Sequence, residues 1–310
     1  MKAYIIILLI LIITNSYSQT EKTVWLKTAT GDIEGTLMTP EPASLERVAL
    51  LIAGSGPTDR DGNNMGMKNN SLKMMASGLA KKGIPTLRYD KRGIGKSKNA
   101  GLKEADLRFE NYVEDAKSWI TYLKKEQNFN NITVIGHSEG SLIGMIAAQD
   151  KNVNQYVSVA GAGQAADKII REQLKSQPPS VTIKVNAILD ELVKGKTVEN
   201  TPPELNSLFR PSVQPYMISW IKYDPQKEIA KLKIPVLILQ GTTDIQVSVD
   251  DANRLAKSCP KAFLAVIDGM NHILKQAPAD RQLNIQTYTQ PDLPLKKELL
   301  DKLIPFIRGK

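Results

Sequence analysis

The sequence predicts an α/β fold: a mainly parallel sheet flanked by helices, with a helical cap inserted between its two parts. Three observations carry this. Continuous apolar runs of strand length alternate with segments of helical periodicity, which implies right-handed crossovers between parallel strands. One strand, Ile132 to Ile135, runs straight into Gly136-His137-Ser138-Glu139-Gly140, a glycine-flanked serine between a strand and a helix. Finally, residues 161–232 separate two strands by far more chain than one crossover helix needs.

The elements follow in order. Thr23 to Lys27 and Ile33 to Met38 are β-prone runs around Ala29-Thr30-Gly31-Asp32, a hairpin signal. Val48 to Ala53 is a continuous apolar run that ends in the loop Gly54-Ser55-Gly56-Pro57. Helical spacing over 70–82 through Leu72, Met75 and Leu79 precedes the next strand, Ile84 to Tyr89. Phe109, Val113, Ala116, Ile120 and Leu123 lie on one helical face. After the Ile132 to Ile135 strand, Leu142, Met145 and Ile146 mark another helix. Tyr156 to Ala160, Val236 to Leu239 and Phe263 to Ile267 complete the strands, and 292–308 is amphipathic. Between them 161–232 is punctuated by Pro178-Pro179, Pro202-Pro203, Pro211 and Pro215 and reads as the cap. The core is thus divided into 19–160 and 233–310.

Residues 1–18 read as a secretory signal peptide. Lys2 precedes an apolar stretch from Ala3 to Ile13, and Ser16-Tyr17-Ser18 places small residues for a cut before Gln19. That stretch is shorter than the roughly 20 residues that span a bilayer, so export to the periplasm or medium is expected, without a stable membrane anchor. The net charge of +9 comes from dispersed pairs such as Lys81-Lys82 and Lys124-Lys125, which excludes a nucleic-acid stripe. The single cysteine, Cys259, has no partner for an intramolecular disulfide and reads as a half-buried thiol at a helix end.

Ser138 is the candidate nucleophile. Residues two before and two after it must lack side chains if the turn is to be this sharp, and both are glycine. A serine hydroxyl needs a base, and the chain has only two histidines. His137 adjoins Ser138 and should diverge from it, to pack or bond below the turn, which leaves His272 as base. Asp244, after the Val236 to Leu239 strand, is the expected carboxylate partner, with Asp268 as rival and Asp250 and Asp251 explained by helix capping. Backbone N–H groups of Glu139 and Ser55 are the expected donors to a developing oxyanion. The Gly54-Ser55-Gly56 loop lacks both G-x-G-x-x-G and a P-loop lysine, so nucleotide binding is not expected.

On these residues the chain resembles α/β-hydrolase esterases of the EstD type, near the serine aminopeptidase-like hydrolases. The resembling segments are the loop from Gly54 to Gly62, the stretch from Tyr89 to Ser97, the GHSEG elbow, the Gly241 to Asp244 loop and Asn271-His272. The resemblance implies the α/β-hydrolase fold and hydrolysis of short acyl esters by Ser138, Asp244 and His272, with no cofactor or metal. The chain departs from many hydrolases in carrying Ala53 where a histidine often precedes the oxyanion glycine. An aminopeptidase or thioesterase shares the chemistry, the former needing an anionic pocket from residues such as Asp167, Glu172, Asp190 and Glu191. A catalytically silent ligand-binding fold is the reading of a different class. Asp59-Arg60-Asp61 and Lys91-Arg92 should border the site, either meeting a polar substrate or pairing with each other.

Overall fold

The computed structural model describes residues 18–310. Apart from Ser18, the expected leader lies outside the described residues. Eight strands form one sheet: β1 Ser18–Thr28, β2 Gly31–Glu41, β3 Arg47–Ile52, β4 Thr86–Tyr89, β5 Asn131–His137, β6 Val153–Val159, β7 Val236–Gly241 and β8 Phe263–Ile267. Their spatial order is β1-β2-β4-β3-β5-β6-β7-β8, antiparallel at β1/β2 and β2/β4 and parallel from β4 to β8.

The helices are α1 Ser71–Ala80, α2 Phe109–Lys125, α3 Glu139–Ala147, α4 Ala166–Leu174, α5 Pro179–Val193, α6 Asn206–Phe209, α7 Gln214–Ile221, α8 Pro225–Ala230, α9 Val249–Ser258, α10 Arg281–Gln286 and α11 Lys297–Ile307. Among the described residues no helix is long and apolar enough to cross a membrane.

Strand periodicity explains the layers. Successive side chains of β3 point to opposite faces, so Val48, Leu50 and Ile52 enter one apolar core with α2 and α3. Ala49 and Leu51 enter a second core with Leu72, Met75 and Leu79 of α1 and Leu299 and Leu303 of α11. The spacing that predicts α2 is reproduced in its burial, since Phe109, Val113, Ala116, Ile120 and Leu123 are all buried.

The hairpin is longer than its apolar runs suggest, because the polar ends of β1 and β2 pair out to Ser18 opposite Glu41. The fourth strand is shorter, starting at Thr86. Between β6 and β7 the chain is helical, and Pro179, Pro215 and Pro225 each stand in a first helical turn, where the missing N–H costs nothing. These helices share the first core: Ile188, Leu189, Phe209 and Met217 belong to it. Phe109 of α2 also stacks on Trp220 with centroids 6.3 Å apart.

β3 and β5 are neighbours; the chain leaving β3 turns toward β4 on one side and the chain leaving β5 turns toward β6 on the other, so the two connections diverge. A crevice opens at such a switch point. The loop after β3 and the turn after β5 form its walls.

Candidate active site

Ser138 sits in the tight turn between β5 and α3 with φ 55° and ψ −122°, a conformation that a side chain rarely adopts. The flanking glycines are required by contact. A Cβ on Gly136 would collide with the carbonyl of Gly140, and one on Gly140 with the carbonyls of Ile52 and Ala53. The elbow therefore lies hard against the end of β3. A Cβ on Gly54 would come within 3.1 Å of the Ser138 Cβ, so the loop after β3 backs directly onto the serine.

His272 and Asp244 arrive from the far half of the sheet. The His272 Nδ1–H donates to the Asp244 Oδ2 at 2.8 Å, with side chains 6% and 1% exposed. Burial pushes the Asp244 carboxyl up, but the adjoining imidazole and the N–H groups of Val247 and Gln246 outweigh it, so it lies below the ordinary carboxylate value. Gln240 of β7 adds a further donor to Oδ2 at 3.1 Å. The His272 loop is tied down by Asn271, whose amide bonds Thr287 at 2.8 Å and whose oxygen accepts the Lys275 N–H. Asp268 instead accepts from Thr242, and Asp251 caps α9 with Ser248. Ser138, His272 and Ser55 line one recess at the crevice.

His137 does diverge from the serine. Its Nε2–H donates to the His272 carbonyl at 2.8 Å, and the two rings lie 4.9 Å apart. Burial, reinforced by the neighbouring imidazole, lowers its pKa to about 4, so the ring is neutral near pH 7. It joins the His272 loop to the elbow.

Glu139 opens α3, where a helical N–H has no carbonyl one turn earlier to bond. Its side chain does more than favour the helix dipole. Lys91, only 1% exposed, donates to Glu139 Oε2 at 2.9 Å and to the Gly54 carbonyl at 2.6 Å. Tyr216 of α7 donates to Oε1 at 2.6 Å. The Gly54 carbonyl and the Ser55 N–H belong to one planar trans peptide and point opposite ways. Lys91 holding the carbonyl thereby orients the Ser55 N–H.

The charged clusters expected to border the site pair, but not with each other. Arg60 bonds Asp90 and Glu34, Asp61 bonds Arg88, and Arg92 bonds Asp115. Asp59 accepts the N–H groups of Asp61 and Asn63 and so shapes its own loop. Cys259 is more buried than its place at the end of α9 suggests, and burial pushes its thiol up.

Sequence reasoning missed the roles of Lys91, Tyr216 and Gln240. Lys91 had a signal in lying within the Tyr89-to-Ser97 stretch; Tyr216 had none, because its partner is 77 residues away, and Gln240 had none, because it sits inside a buried strand. No group of three or more His, Cys, Asp or Glu that could hold a metal occurs among the described residues.

A strained serine elbow at the switch point of a mainly parallel sheet, with a carboxylate-bound histidine from later loops, defines an α/β-hydrolase fold. Solved structures share it. Ferulic-acid-bound Est1E from Butyrivibrio proteoclasticus has a TM-score of 0.62 at 18% identity, over 93% of this chain and all of that one. The Pyrococcus furiosus esterase Pf2001 has a TM-score of 0.58 at 15% identity, over 94% of this chain and 92% of that one.

The chain belongs to the hydrolase family described as serine aminopeptidase, S33, whose pattern matches residues 65–225. That stretch contains the elbow and the helices before β7, but neither Asp244 nor His272. Esterase EstD of Thermotoga maritima is 27% identical over 246 residues, 78% of this chain and 58% of that protein. The chain thus matches less than two thirds of that relative's length.

Proposed function

We propose that this protein is an exported serine hydrolase that cleaves short-chain carboxylic esters through an acyl-enzyme. The observation that carries the reading is that Ser138 and His272 line one recess, with His272 Nδ1 engaged by the Asp244 carboxylate behind it. With Nδ1 occupied, the His272 Nε2 is left to take the Ser138 hydroxyl proton. The serine oxygen attacks the ester carbonyl, and the Glu139 and Ser55 N–H groups receive the developing oxyanion. The tetrahedral intermediate collapses, His272 returns the proton to the leaving alkoxide, and water repeats the sequence to release the acid.

An aminopeptidase is the second reading, favoured by the family's description. It needs an uncommitted anion for the substrate amine. Of the candidates in the helical insertion, Asp190 pairs with Arg171, Glu191 with Lys194 and Glu172 with Lys175, while both oxygens of Glu139 are occupied; Asp167 makes no ion pair among the described residues but lines neither recess beside Ser138. This supports the esterase.

Hydrolysis of p-nitrophenyl acetate and of aminoacyl p-nitroanilides, by the protein and by Ser138→Ala, tests both. Ester turnover that falls by about three to six orders of magnitude in the variant is expected. Anilide cleavage without ester turnover would replace the esterase with the peptidase. Failure of a fluorophosphonate to label Ser138 would remove the serine mechanism altogether.

A further inference from the structure

Ser138 and Ser55 stand between two recesses of different chemistry. One, of about 290 Å³, contains His272 and is lined by the polar side chains of Thr58, Asn64, Gln246 and Tyr288. Met67 and Ile273 supply its apolar contacts. The other, of about 80 Å³, lacks His272; Leu142, Ile169, Ile170, Trp220 and Val247 form its apolar wall, Gln246 is shared with the first recess, and its carboxylate, Glu139, is taken up by Lys91 and Tyr216. Gln164 and Gln173 on that side are engaged with Glu172 and the Gln246 carbonyl.

Proton delivery decides which part of an ester goes where. The leaving alkoxide must receive its proton from His272, so the alcohol belongs in the recess that contains His272. The acyl group, which remains on Ser138, then falls into the apolar one. On the esterase reading above, we propose that the substrate is a short acyl ester, from acetyl to about butyryl, of a neutral, hydroxyl-rich alcohol of monosaccharide size. A volume of 80 Å³ is about that of three water-sized groups, which sets the acyl length.

Three observations set the alcohol's character. Among the described residues no Lys, Arg, Asp or Glu lines the alcohol recess, so nothing there compensates a charged ligand. Asn64 and Gln246 offer donors and acceptors for hydroxyl groups, while the Tyr288 ring offers a face for C–H groups. The recess is also held in shape before any ligand arrives. Gln246 donates to the Tyr288 hydroxyl at 3.1 Å, and Asn63 joins its own loop to Asn69 and Asn70 with bonds of 2.9 Å.

The test compares hydrolysis of methyl 6-O-acetyl-glucopyranoside and hexyl acetate by pH-stat, together with p-nitrophenyl acetate, butyrate and octanoate. Both alkyl acetates release a primary alcohol, so the ratio reports recognition. A kcat/KM at least about tenfold higher for the glucoside, carried mainly by KM, is expected from polar groups left unpaired by the hexyl chain. Asn64→Leu and Tyr288→Leu, which removes the ring face, should each narrow that ratio, and Ile170→Ala should shift the preferred acyl chain toward octanoate.

A hexyl ester cleaved as well as the glucoside would overturn the proposal, as would octanoate preferred by the unaltered protein. A glucoside preference that neither alcohol-side variant moves would overturn the assignment of this recess. If no ester is cleaved by protein with a normal melting transition, the esterase reading itself fails. Turnover of p-nitrophenyl acetate without the glucoside preference defeats only the present inference.

Discussion

Two sets of ion pairs in this molecule look alike on paper and differ in every physical respect. Lys91 and Glu139 meet beneath the elbow with side chains 1% and 2% exposed, and each makes a further bond that crosses between elements. Arg171–Asp190 and Lys184–Glu204, on the helices between β6 and β7, have members up to 61% and 50% exposed. Exposed pairs are weakened by water and salt, whereas a buried charge is costly unless its partner stays in place. The comparison teaches that the buried pair is a positional device. It ties the loop carrying Ser55, the elbow and α7 into one arrangement, and the surface pairs tie nothing of consequence.

The sharpest way to break the contrast is Lys91→Met. It strands a buried carboxylate and should lower unfolding stability by about 3–5 kcal/mol. It also frees the Gly54 carbonyl, and loss of one oriented oxyanion donor should reduce kcat by about 100-fold or more. Adding Glu139→Gln should restore much of the stability, because the uncompensated charge is gone, but not kcat. Recovery of both together in urea titrations and kinetics would show that the pair serves packing alone.

A second prediction concerns His137, a buried titratable group on the same side of the contrast. Its folded pKa of about 4 lies below the ordinary 6.5, so between those values the unfolded chain binds the proton first. Stability should therefore fall as pH drops from about 6.5 to 4, by about 3 kcal/mol in all. Asp244, whose folded pKa is depressed, contributes stability above its ordinary 3.8 that is lost as pH falls through the folded value. Urea unfolding at pH 7, 5 and 4 should show the steeper slope in the unaltered protein, and His137→Gln, whose amide can still donate to the His272 carbonyl, should flatten it. Equal slopes in the two proteins would remove His137 from the account.

Smaller effects refine the picture. Tyr216→Phe removes one hydrogen bond to a buried carboxylate and should cost about 1.5–3 kcal/mol. At the far end, Asp190→Asn breaks a largely exposed pair and should change stability by about 0.5 kcal/mol or less. A melting shift for Asp190→Asn as large as that for Tyr216→Phe would erase the distinction between the two sets.

Much of this was legible along the chain for local reasons. The apolar run over 48–53 announces a strand buried on both faces, and a serine between glycines at a strand end announces an elbow, because steric demand acts within five residues. His272 follows from the scarcity of histidine, and Asp244 from its place after a strand. The polar ends of β1 were not legible, since an edge hairpin owes its length to backbone pairing and asks little of side chains. The partners of Arg60, Arg92 and Asp61 were not legible, because charge says only that a partner is needed.

What the sequence by itself determined is therefore whatever depends on short-range sterics and periodicity: the alternation of strands and helices, the strained serine, the order of serine, aspartate and histidine. Only the tertiary structure decided which distant groups share a boundary. Lys91 reaches Gly54 and Glu139 across 37 and 48 residues of chain, Tyr216 reaches Glu139 across 77, and the two recesses beside Ser138 draw their walls from separate loops. The physical reason is that burial and hydrogen-bond satisfaction are properties of the packed whole, and the residues that meet there carry no local mark of one another.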